Sequence, residues 1–178
     1  MKKAWIRFAI LVLLTLIFVF FALFASVLAP FDPLESHYAD MLKPPNSTYL
    51  FGTDQLGRDL FSRILYGGKS SLLIAFAVTA IISTVGILIG AIAGFTGGFF
   101  DNVLMRFSDM LMAFPGYIFT IALVSFIGIG LPNMILAMSL TGWTYYARIS
   151  RSLVLSVKNN VYIEQARLGG ASRIRILL

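Results

Sequence analysis

Four stretches of this chain are apolar for long enough to cross a bilayer, and polar connections marked by glycine and proline separate them. The first, from Phe8 to Ala29, carries no charge, and sixteen of its 22 residues are Leu, Ile, Val or Phe. At about −0.3 to −0.6 kcal/mol each near a helix centre, these residues favour membrane insertion by roughly 5 to 10 kcal/mol. Lys2, Lys3 and Arg7 before the run and Ala25, Ser26 and Ala29 near its end have the order of a secretory signal. The run nevertheless exceeds the roughly 7 to 15 apolar residues of such a signal, so an uncleaved first span is expected. Further spans are predicted from about Ser70 to Phe95, from about Asn102 to Ile129, and from about Pro132 into the stretch Tyr145 to Val157. The expected fold class is therefore an all-α integral membrane protein with about four transmembrane helices. It divides into a stub and first span at 1–29, an extracytoplasmic loop at 30–69, and the remaining spans at 70–178, ending in a cytoplasmic elbow at about 159–178.

Composition agrees with the pattern. Of the 178 residues 58% are hydrophobic and 12% charged, and the mean hydropathy is +0.87, beyond the roughly 45 to 50% apolar share of a soluble domain. The formal charge of +6 would point to nucleic acid in a soluble protein, but its placement gives it another meaning. With the N-terminus in the cytoplasm, Lys2, Lys3, Arg7, Arg106, Arg148, Arg151, Lys158, Arg167, Arg173 and Arg175 all fall inside, ten of the fourteen basic residues. That is the positive-inside bias of a membrane protein, and no nucleic-acid partner is needed to explain it. The absence of cysteine excludes disulfides and thiol chemistry, and a single histidine, His37, makes a zinc or haem site built by this chain unexpected.

Several short patterns refine the picture. The outer segment opens on Pro30, Pro33, Pro44 and Pro45 and continues into Phe51-Gly52-Thr53-Asp54-Gln55-Leu56-Gly57-Arg58-Asp59, where glycines permit tight turns and Thr53 or Asp54 is placed to cap a short helix. Gly68-Lys69-Ser70 has the ending of a phosphate-binding loop, but Arg63 stands where that loop requires glycine. Gly86, Gly90 and Gly94 recur every four residues and predict a helix face along which another backbone packs closely. Arg106 and Asp109, three apart, can pair as a structural latch or a gating element, since a lone charge in the bilayer costs roughly 2.5 to 3.5 kcal/mol. Pro115 is expected to kink the third span. Trp143, Tyr145 and Tyr146 suit an interfacial belt, with Arg148 and Arg151 reaching headgroups. Beyond them Glu164-Gln165-Ala166-Arg167-Leu168-Gly169-Gly170-Ala171-Ser172 reads as a short helix, a glycine break and a second short helix capped by Ser172, the shape of a docking elbow.

Taken together, FGTDQLGRDLFSRILYGGKSSL, GGFFDNVLMRFSDMLMAFP and GWTYYARISRSLVLSVKNNVYIEQARLGGAS resemble, in order, the dipeptide, oligopeptide and nickel permease family of ABC importers, in particular its C-type subunit. The resemblance implies a type I importer permease fold, with four helices present of six. The family's cytoplasmic signature of Glu-Ala-Ala, three residues and Gly maps onto Glu164, Gln165, Ala166 and Gly170, with Ala171 following, and Gln165 departs from the usual alanine. By resemblance this is the helix that couples the permease to its ATPases. The family continues with Leu-Pro and two further spans where this chain stops at Leu178, which reads as a C-terminal truncation.

The implied function is that of a non-enzymatic subunit moving di- or oligopeptides or nickel and other metal chelates, in a bacterial or archaeal cytoplasmic membrane. Its implied partners are membrane lipid, a homologous second permease, two cytoplasmic ABC ATPases and an extracytoplasmic substrate-binding protein. The chain itself would bind no cofactor, ATP and Mg sitting on the ATPases. No catalytic or metal-ligating residue is expected, and the residues that touch substrate are not legible. Two other readings fit the composition: a secondary transporter, for which Arg106 with Asp109 is a thin relay and no internal repeat is visible, and a truncated, non-transporting membrane scaffold.

Overall fold

The computed structural model describes residues 2–170 and Arg175. It contains seven α-helices among those residues: α1 (Lys2–Leu23), α2 (Ala25–Leu28), α3 (Leu60–Thr96), α4 (Gly98–Ala113), α5 (Gly116–Ile127), α6 (Leu131–Val157) and α7 (Val161–Leu168). They fall into two compact units, 1–75 and 76–178, with the boundary inside α3.

In the first unit, α1 is 22 residues long, about 33 Å at the usual helical rise, which matches a hydrocarbon core of about 30 Å. Its large apolar side chains, from Trp5 to Leu23, are mostly exposed and form a lipid-compatible surface. α2 stops at Leu28 because Ala29 precedes Pro30, whose ring disfavours the helical conformation in the residue before it; Ala29 is accordingly extended.

The segment between α2 and α3 is ordered by polar contacts. Asp54 receives hydrogen bonds at Oδ1 from the backbone N–H groups of Leu56 (2.8 Å) and Arg58 (3.0 Å), and at Oδ2 from Arg58 Nε (2.8 Å). Asp40 pairs with Lys43 and accepts a hydrogen bond from the Tyr49 hydroxyl at 2.7 Å. Gly57, at φ +75°, is placed so that a β-carbon would overlap the carbonyl of His37, so only glycine fits this turn.

The helix cap is Asp59 rather than Thr53 or Asp54. Its Oδ2 accepts from the Ser62 N–H at 2.8 Å and the Ser62 hydroxyl at 2.6 Å, and that hydroxyl in turn accepts from the Phe31 N–H at 3.2 Å. The reason is register: α3 begins at Leu60, ten residues before the apolar run, so the cap position falls on Asp59. Thr53 is instead tied to the Lys43 backbone and Asp40 carbonyl.

In the second unit, Gly97 and Gly98 turn the chain from α3 into α4. The kink expected at Pro115 is a full break: α4 and α5 meet at 85°. Phe114, preceding the proline, is extended, and the proline has no N–H with which to continue the α4 ladder. At the far end of α5, the Asn133 side-chain amide donates to the carbonyls of Gly128 (2.9 Å) and Ile127 (3.3 Å), closing the hairpin into α6.

Among the described residues two single helices are long and apolar enough to cross a membrane, Trp5–Leu23 and Leu60–Thr96, and the bent pair α4 and α5 makes a third if counted as one span. α6 has the length, at 27 residues, about 40 Å. Asn133, Arg148 and Arg151 make it more polar than α1 and α3.

Candidate functional site

The second unit is organised by the approach of α3 to α6. A β-carbon on Gly86 would lie 2.5 Å from the Trp143 carbonyl oxygen, one on Gly90 would overlap the Ala147 carbonyl, and one on Gly94 would stand 3.0 Å from the Arg151 carbonyl. The contacts advance together along both helices, so α3 and α6 run parallel here. Ala147 is fully buried, and the Ser150 hydroxyl donates to the Ile87 carbonyl at 2.9 Å, a polar stitch between the helices. Close backbone approach of this kind is what small residues at a four-residue spacing allow.

α4 attaches to α6 through charge. Arg151 donates Nε–H to Asp101 Oδ1 at 2.5 Å and a terminal N–H to Oδ2 at 2.7 Å, a two-pronged ion pair whose carboxylate is buried. Asp109 pairs with Arg148, not with Arg106 as the three-residue spacing suggested. Among the described residues Arg106 enters no ion pair, and its side chain is exposed. Side chains three apart on a helix are only neighbours, and a guanidinium presented from α6 competes for the same carboxylate. Between the two acids, Ser108 is fully buried and Phe107 stacks on Trp143 with ring centres 6.4 Å apart. Trp143 is therefore buried rather than part of an interfacial belt, with its indole N–H satisfied by the Leu140 carbonyl at 3.0 Å. Arg148 and Arg151 pair with carboxylates of α4.

Beyond α6, Lys158 donates from Nζ to the Gly94 carbonyl at 3.0 Å. Cations beside the last carbonyls of a helix are favoured by its dipole. α7 starts three residues later, at Val161, where the Asn160 carbonyl accepts from the N–H groups of Ile163 (2.9 Å) and Glu164 (3.2 Å). Glu164, Gln165 and Ala166 lie within α7, and the Glu164 and Gln165 side chains are exposed, as are Val161, Tyr162 and Leu168. Gly170, two residues past its end, sits at φ +81°, and no described residue comes within 4 Å of where its β-carbon would stand. Ala171 and Ser172, and with them the expected second short helix, lie outside the described residues.

Asp101, Ser150 and Lys158 were not singled out by their sequence context. The partners of Asp101 and Lys158 stand 50 and 64 residues away, and nothing local announces them. Among the described residues no cluster of three or more His, Cys, Asp or Glu is arranged to hold a metal ion.

Apolar helices with little covering, one broken at a proline, and ionisable groups paired between neighbouring helices define a multi-pass α-helical membrane protein. The chain belongs to the family described as binding-protein-dependent transport system inner membrane component, which matches residues 86–178, placing it in the cytoplasmic membrane. It is 36% identical over 179 residues to the nickel transport system permease protein NikC of Escherichia coli (strain K12), covering 100% of this chain and 64% of that protein. It is 37% identical over 171 residues to the di/tripeptide transport system permease protein DppC of Pseudomonas aeruginosa (strain UCBPP-PA14), covering 93% and 56% respectively. To the oligopeptide transport system permease protein OppC of Bacillus subtilis (strain 168) the identity is 36% over 176 residues, covering 99% and 55%. The motif-based resemblance to C-type permeases of peptide and nickel ABC importers thus holds along the whole chain. The chain spans 55 to 64% of the length of these three curated relatives.

Proposed function

We propose that this chain is a membrane-spanning permease subunit of an ATP-driven importer for peptides or for nickel and other metal chelates, with its N-terminus in the cytoplasm. It does no covalent chemistry. A homologous second permease completes the pathway, an extracytoplasmic binding protein delivers the ligand, and two cytoplasmic ATPases, which carry the ATP and Mg, drive the cycle. α7 is the coupling elbow on which an ATPase acts.

The observation that carries this reading is the exposure of α7. A short helix within the family-matching region presents Val161, Tyr162, Leu168, Glu164 and Gln165 outward and ends at a left-handed glycine. Apolar side chains exposed together on a polar terminal element mark an interaction surface. ATP-driven closure of the ATPases would move this helix as a lever and tilt α6 with it, a rigid-body mode of switching.

Affinity purification of the tagged chain from its native membrane, followed by mass spectrometry of what accompanies it, tests the proposal. Recovery of ABC ATPases and a sister permease is the expected result. Recovery of the chain without any ATPase under conditions that preserve membrane complexes overturns it.

A further inference from the structure

The last turn of α3, the first turn of α4 and the end of α6 meet in one polar cluster immediately before α7. Arg151 is gripped by both carboxylate oxygens of Asp101, and Lys158 is held at the Gly94 carbonyl. Lys158 Nζ also lies 3.5 Å from where a β-carbon on Gly97 would stand, at the turn between α3 and α4. Only Asn159 and Asn160 separate this anchored lysine from Val161, the first residue of α7. These contacts hold the last turns of α6 directly ahead of the two-residue link to α7.

Two features single out Asp101 as the fixed point. Its carboxylate is buried, while the Asp109–Arg148 pair on the same two helices is about half exposed on each side. A two-pronged guanidinium–carboxylate contact fixes orientation as well as distance, which a single exposed contact does not. Asp101 also lies in the first turn of α4, where the helix dipole favours its charge. The other end of α4 is the 85° break at Phe114–Pro115, so α4 is a separate rigid strut between that break and the cluster.

We propose that Asp101 is a positioning residue for α7: through Arg151 it holds the end of α6 so that Lys158 stays on the Gly94 carbonyl and α7 leaves at a fixed angle. The inference rests on the coupling-elbow reading for its functional meaning, but its geometry can be tested separately. In a working transporter the same contact passes movement of α7 to α4.

The chain has no cysteine, so spin labels can be placed without removing native thiols. Labels at Ile92→Cys and Gln165→Cys report the angle of α7 against α3, and labels at Ile92→Cys and Leu140→Cys report α3 against the body of α6, away from its last turns; all three positions are exposed. In the purified membrane protein, Asp101→Asn should broaden the first distance distribution by about twofold or more, since loss of a charge-assisted pair lowers the held population about tenfold. The second distribution should stay narrow. Asp101→Glu, or the swap Asp101→Arg with Arg151→Asp, should restore the first. Should Asp101→Asn fail to accumulate, Arg151→Lys, which keeps the charge and loses the second prong, is read in the same way.

An unchanged first distribution overturns the inference, and so does equal broadening of both, which would make Asp101 a general packing contact. Cross-linking from Gln165→Cys to a copurifying ATPase examines the elbow reading alone. Absence of that product with the expected distances removes the coupling role and leaves the positioning role standing; its presence with unchanged distances removes the positioning role only.

Discussion

Gly90 of α3 faces Ala147 of α6 so closely that a β-carbon on the glycine would overlap the alanine carbonyl. Because the obstacle is backbone, no side-chain rotation relieves it, and Gly90→Ala must push the two helices apart. We expect a loss of about 3 kcal/mol, as for overpacking in a tight core. Gly67, in the same helix, has open space where its β-carbon would stand. Gly67→Ala should leave stability unchanged or raise it by about 0.5 to 1 kcal/mol. Thermal unfolding of both variants in detergent checks the opposite signs; a Gly90→Ala protein as stable as the parent would contradict the close approach.

The choice of partner by Asp109 makes a second prediction. A double-mutant cycle between Asp109 and Arg148 should show a coupling of about 0.5 kcal/mol, the size typical of exposed ion pairs. The cycle between Asp109 and Arg106 should show none. Coupling to Arg106 instead would mean that the helix uses its local neighbour after all.

Asp59 caps α3 and, through Ser62, ties the helix start to Phe31. Asp59→Ala should cost about 1 to 2 kcal/mol, the scale of a lost helix cap. The effect should be local, seen as faster amide exchange at 60–63 and around Phe31, with the α3 to α6 contact unaltered. Thr53→Ala should leave exchange at 60–63 unaltered, because Thr53 bonds to the Lys43 backbone and the Asp40 carbonyl.

The segment between α2 and α3 should loosen at both ends of the pH scale. Hydrogen bonds from Lys43 and then Tyr49 hold Asp40 below the ordinary carboxylate value of 3.8. For Asp54 burial pushes upward, but the N–H groups of Arg58 and Leu56 and the Arg58 guanidinium outweigh it and bring the carboxyl below 3.8. Groups depressed by folding stabilise the folded state above their ordinary value and cease to do so as pH falls through the lowered one, so loosening should begin only below about pH 4. Tyr49 is raised above 10.0, chiefly by its bond to Asp40. Its contribution is present below pH 10 and is lost as pH rises through the elevated value. Pulsed amide exchange across 40–60 should therefore be flat from about pH 5 to 9 once corrected for intrinsic chemistry; an opening midpoint near neutrality would contradict the assignment.

Gly170 sits at φ +81°, where a residue with a β-carbon pays about 1 to 2 kcal/mol. In an intact subunit, Gly170→Val should lower transport per ATP hydrolysed, and Gly170→Asn, which tolerates this conformation, should lower it less. Equal transport by both variants and the parent would separate the glycine from coupling.

Much of the framework was legible in the residues themselves. The uncharged run from Phe8 to Ala29 determines a lipid-facing helix, because hydrophobicity is a sum over local side chains. The spacing of Gly86, Gly90 and Gly94 places small residues on one helix face, and Pro115 sets where the third apolar stretch breaks. Tertiary structure alone decided the partners and the angles: that Asp109 takes Arg148, that Asp101 grips Arg151 fifty residues away, that Trp143 turns inward, and that the break reaches 85°. It also moved the start of α3 to Leu60 and so gave the cap to Asp59. Periodicity states which residues share a face, but an ion pair or a backbone contact depends on the rotation and separation of two helices, and those are settled only when every face has been packed together.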